Sequence, residues 1–121
     1  MPSPVEVAVA TYVRAVNERD PAARAALLTA CFASDVRMVT SSREIRGRAT
    51  LTAELERFLA DPRLLGIRLI SAIDARGTIF RYRAVADFRD GTSPESFDAG
   101  EIDAAGQISL LLTFAGPLQD A

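Results

Sequence analysis

The sequence predicts an α+β domain in which three N-terminal helices pack on the concave face of a curved, mainly antiparallel sheet. Three observations carry this expectation. Apolar residues recur at helical spacing in three stretches before Ala60, and from Gly66 to Ala115 they alternate at the two-residue period of strands. The strand-forming half is punctuated by Arg76-Gly77, Asp90-Gly91 and Ala105-Gly106, turn signals that fold it into a meander. A sheet bent around helices leaves a conical hollow, a natural small-molecule site. The 121 residues have the length of one such domain, spanning 1–121.

Val5, Val9, Tyr12, Val13 and Val16 form the stripe of the first helix. Asp20 can cap the second, Pro21 suits its first turn, and the helix runs to about Cys31, burying Leu27, Leu28, Cys31 and Phe32. A short strand over Val36 to Thr40 and a return at Glu44 to Arg46 follow, before Gly47 breaks the pattern. Leu51, Leu55, Phe58 and Leu59 restore helical spacing from Arg48 to Ala60, where Asp61-Pro62 ends it. Four strands are expected next: Gly66 to Ala75, Thr78 to Arg89, Glu95 to Asp103 and Gln107 to Ala115. On the last, Ile108, Leu110, Leu112 and Phe114 read as one apolar face, with Leu111 and Ala115 on the other.

Composition narrows the functions. A net charge of −2, a pI near 5.1 and arginines scattered along the chain argue against nucleic-acid binding. No apolar run nears the roughly 20 residues of a membrane helix, and the N-terminus lacks a secretion signal, so a cytoplasmic setting without membrane contact is expected. The single Cys31 cannot form an internal disulfide and reads as core packing. With no histidine, histidine bases, Ser-His or Cys-His pairs and histidine-ligated zinc are excluded; no cofactor or metal is expected.

Alternation nominates the site. Phe80, Tyr82, Ala84, Ala86 and Phe88 share the face assigned to the hollow, leaving Arg81, Arg83, Val85 and Asp87 outside; a one-residue slip would bring both arginines in. Asp98, flanked by Ser96 and Gly100, is the acid of its strand expected inside. Glu54 reads either as a general base leaning into the cone or as a solvated helix-face group. Val16, Phe32, Thr40, Leu55, Phe58, Phe80, Tyr82, Phe88 and Leu112 are expected to line the hollow around a small hydrophobic molecule. Val85, Phe97 and Leu111 on the outer sheet face point to a homodimer.

The order helix, helix, short hairpin, helix, four-stranded meander resembles the nuclear transport factor 2-like (NTF2-like) cone fold and, within it, the SnoaL-like bacterial proteins. The resemblance rests on Tyr12-Val13-Arg14-Ala15-Val16-Asn17-Glu18-Arg19-Asp20, on Gly47-Arg48-Ala49-Thr50-Leu51, and on Ala105-Gly106-Gln107-Ile108 with Phe114-Ala115-Gly116-Pro117. Similarity to the ketosteroid isomerases implies that Tyr12 and a neutral Asp98 donate hydrogen bonds to a developing oxyanion; Tyr12 reads equally as a core tyrosine hydrogen-bonded to Asp98. Thr40 stands where that family keeps its base, which argues against authentic ketosteroid isomerase activity. The acid on the last strand used by limonene epoxide hydrolases is missing, as is the histidine of the polyketide cyclases. The resemblance thus implies an isomerase-, cyclase- or hydratase-type enzyme acting on a small hydrophobic carbonyl compound. The alternative is a binding module that holds such a ligand unchanged.

Overall fold

A computed structural model describes residues 1–117 and 119–121. Helix α1 (Pro4–Asn17) starts where the Ser3 hydroxyl accepts a hydrogen bond from the Glu6 amide, and α2 (Pro21–Cys31) starts on the carboxylate of Asp20 in the same way. Strand β1 (Phe32–Thr40) follows α2 without a loop and begins four residues before the expected Val36. After β2 (Glu44–Arg46), Gly47 takes a φ of 90° and opens α3 (Arg48–Leu59). The remaining strands are β3 (Leu64–Leu69), β4 (Asp74–Arg76), β5 (Ile79–Phe88), β6 (Glu95–Ile102) and β7 (Ile108–Ala115).

The strands form one curved sheet in the order β2-β1-β7-β6-β5-β3, with β4 also paired to β5. All pairings are antiparallel except β1 with β7. The single strand expected from Gly66 to Ala75 is two, because between β3 and β4 the Ser71 hydroxyl accepts from the Arg83 amide in place of a backbone carbonyl. The core lies between the helices and the concave face, centred on Val9, Leu28, Phe32, Val36, Leu51 and Leu111. Among the described residues no helix is long and apolar enough to cross a membrane.

One irregularity reverses an expectation. Glu101 pairs with Leu110 but Ile102 pairs with Ile108, so Ser109 is an extra residue in β7. Strict alternation fails across it. Ile108 and Leu111 both face the core with no exposed surface, whereas Leu110 and Leu112 lie outside beside Arg81, Ala99 and Glu101. The expected inner row of Ile108, Leu110, Leu112 and Phe114 therefore does not exist, and Leu111 leaves the outer face.

Edge strand β3 is held by a side chain. Asn17, the last residue of α1, accepts from the Ile67 amide and donates to the Ile67 carbonyl, both at 2.8 Å, as a neighbouring strand would. Asn17→Ala is expected to lose about 2 kcal/mol, roughly 1 per bond, read as a lower urea midpoint. An unchanged midpoint would mean that water serves the strand equally well.

Candidate functional site

The helices and the concave face enclose a cavity of about 500 Å³. Its apolar wall includes Val13, Val16, Leu51, Leu55 and Ala84; its polar floor is Asp98 on β6 and Tyr82 on β5. These two residues are direct cross-strand partners, and the Tyr82 hydroxyl donates to Asp98 Oδ2 at 2.8 Å. Thr113 on β7 faces Asp98 from the other side. Asp98 Oδ1 and Thr113 Oγ1 are both buried without a hydrogen-bond partner among the described residues.

Asp98 is 7% exposed, and burial raises its pKa above the ordinary 3.8 while the hydrogen bond from Tyr82 draws it part of the way back. Tyr12 reaches the same cavity from α1. Burial first, and the charge of Asp98 second, push the phenols of Tyr12 and Tyr82 well above 10.0. Both phenols therefore remain protonated donors at neutral pH. As a protonated phenol bordering the cavity, Tyr12 can donate to a ligand oxygen.

Packing fixes both rings. Phe32 meets the Tyr12 ring edge-on at 5.2 Å, and Phe80 stacks on Tyr82 at 6.1 Å. Phe32 and Phe80 are thus supports, not the cavity walls they were expected to be. Phe88 also leaves the wall, facing a separate shallow groove with Asn17, Leu65 and Gly66. Leu112 is removed by the irregularity at Ser109 and lies on the outer face. Val16, Thr40, Leu55, Phe58 and Tyr82 do border the cavity, together with Tyr12, Glu54 and Asp98.

The mouth is polar. The Thr40 hydroxyl accepts from the Ser42 and Arg43 amides at 3.3 and 3.2 Å, shaping the turn between β1 and β2. Arg43 on that turn and Arg57 on α3 each bind one oxygen of the Glu54 carboxylate, so Glu54 is a counter-ion in this arrangement and not a free base. Arg81 and Arg83 point away from the cavity, toward Asp74 at 2.8 Å and Glu95 at 3.9 Å. Val85, expected outside, is buried and borders the cavity.

The Tyr82–Asp98 bond was missed in the sequence, where Tyr82 counted only as wall. The available signal was that two inward positions on consecutive strands must sit near each other. Thr113 was missed because alternation counted from Ile108 placed it outside.

No family model and no curated protein sequence matches the chain. Solved structures do. A member of the SnoaL-like family from Agrobacterium tumefaciens, described as a candidate isomerase, superposes with a TM-score of 0.83 at 22% identity, covering 94% of this chain and 98% of that one. An NTF2-like protein of unknown function from Burkholderia xenovorans gives 0.73 at 15% identity, covering 98% and 87%. The chain has the NTF2-like fold. A further solved structure, an LEH-like epoxide hydrolase from M. tuberculosis, superposes with a TM-score of 0.69 at 17% identity over 93% of this chain and 82% of that one. At such identities the NTF2-like likeness speaks for architecture, and the chemistry must be argued from the cavity itself.

Proposed function

We propose that this NTF2-like chain is a cofactor-independent enzyme of the isomerase, cyclase or hydratase type, acting on a small hydrophobic carbonyl compound. The observation that carries the reading is Asp98, buried at the floor of an apolar cavity, fixed by Tyr82 and left with one unpartnered oxygen. In its neutral form Asp98 donates to the substrate oxygen beside Tyr12, and the two donors stabilise the enolate as a proton leaves the adjacent carbon. Of the other carboxylates bordering the cavity, Glu54 is bound by two arginines and Glu95 stands opposite Arg83 at the mouth. Proton removal is accordingly assigned to solvent entering at the mouth, and not to Glu54. The structural neighbours named as an isomerase of the SnoaL-like family and as an LEH-like epoxide hydrolase support small-molecule catalysis in general.

The engagement of Glu54 favours a second reading, in which the cavity binds its ligand without converting it. Methyl octyl ketone in deuterated water separates the two. Catalysis predicts deuterium at the carbons beside the carbonyl, gained about 1,000-fold or more faster than in buffer, roughly 4 kcal/mol off the barrier. Saturable binding without exchange supports the binding module. A ketone that does not bind overturns both.

A homodimer through the outer sheet face belongs to the same proposal. It is supported by exposed Ile79 and Phe114, with half-buried Phe97, Leu110 and Leu112 between them. A cytoplasmic setting is proposed with it, consistent with the free, buried thiol of Cys31.

A further inference from the structure

We infer that the ligand carries a carboxylate at the end opposite its carbonyl oxygen, and that Arg43 holds this carboxylate at the mouth of the cavity. The inference rests on the proposed function, since it takes the carbonyl to sit on Tyr12 and Asp98. Arg43 stands on the turn between β1 and β2, whose backbone is fixed by the Thr40 hydroxyl. It spends one terminal nitrogen on Glu54, while its Nε and second terminal nitrogen make no hydrogen bond among the described residues. Glu54 does not need Arg43, because Arg57, three residues along α3, already neutralises it.

Charge at the mouth is therefore unbalanced. Arg43 and Arg57 share the single carboxylate of Glu54, while Glu95 has Arg83 as its counter-ion 3.9 Å away on the side turned from the cavity. The Arg43 side chain is 57% exposed, so an anion could bind there while remaining partly hydrated, avoiding the cost of burying a charge. Between this rim and the Asp98 floor the wall is apolar, formed by Val16, Leu55 and Phe58. A molecule that satisfies all three zones has an oxo group, an aliphatic or alicyclic body and a terminal carboxylate. Arg43 offers the carboxylate a charge-assisted hydrogen bond from Nε or from its free terminal nitrogen.

Calorimetry with methyl octyl ketone, and with the same ketone whose far methyl is replaced by a carboxylate, tests this. The carboxylate should bind the wild-type protein about tenfold more tightly, the scale of one partly exposed charge-assisted hydrogen bond. Arg43→Gln should bring it down to the level of the plain ketone. Equal affinities in the wild type, or an advantage that survives Arg43→Gln, would overturn the inference. If the plain ketone binds without any preference, this inference fails alone and the cavity reading stands. If neither compound binds, both fail.

Discussion

Asp98→Asn should lower the rate of deuterium exchange into methyl octyl ketone by about 100- to 1,000-fold, the usual effect of losing one donor to a developing oxyanion. The amide has nearly the shape of the carboxyl and can still accept from Tyr82, so the floor keeps its geometry. What it lacks is an acidic proton. An amide N–H donates more weakly to an enolate than a carboxylic acid does, and the difference matters most where water is excluded, as around a residue 7% exposed. Tyr12→Phe removes the other donor and should act on the same scale. Wild-type exchange rates in both variants would dismiss the oxyanion site.

Stability gives the Asp98→Asn variant a second readout that is independent of any substrate. Burial raises the folded-state pKa of Asp98 above 3.8, so the folded protein binds this proton more tightly than the unfolded chain does. The stability contributed by the neutral carboxyl is fully present below pH 3.8 and is lost as pH rises through the folded value. Asparagine suffers no such loss. The melting temperature of the variant relative to the wild type should therefore climb from about pH 4 upward and level off once Asp98 is ionised in both states. A difference that stays flat with pH would mean that burial does not perturb this carboxyl.

The legible and illegible parts of this chain divide along physical lines. Helical spacing and the caps Asp20 and Pro21 placed α2 correctly, because they are local. The faces of β5 were legible from Phe80 to Arg83, where four alternating residues distinguish an apolar side from a charged one, but not beyond, where Val85 borders the cavity and Phe88 leaves it. The faces of β7 were not. Ser109 looks like any other strand residue, and only its partners on β6 reveal that it is supernumerary, so Leu112 and Thr113 exchanged sides. Glu54 was ambiguous because the arginine that engages it from the turn between β1 and β2 lies 11 residues upstream, on a different element. Phe32 and Phe80 were correctly read as buried but misread as walls, since burial alone does not say whether a ring touches the cavity or stands behind one that does.

Gly100→Ala is expected to be the most destabilising small substitution near the site. A methyl group at this position would lie 2.6 Å from Phe80 Cζ and 3.0 Å from its Cε1, and would also overlap the Leu110 backbone carbonyl on β7. Overpacking of this kind costs about 3 kcal/mol, and more where backbone must move, which corresponds to a fall in melting temperature of roughly 10 °C or more. The ring contact and the backbone contact can be separated. Phe80→Leu retracts the ring and should recover part of the loss in the double variant, as a favourable coupling in a double-mutant cycle; the carbonyl of β7 has no such freedom, so the rest should remain. The consequence reaches the cavity because Phe80 is the ring stacked on Tyr82, and Tyr82 fixes Asp98. A Gly100→Ala protein that melts like the wild type would show that β6 and β7 can part without cost, and the rigid floor on which Asp98 is positioned would lose its physical basis.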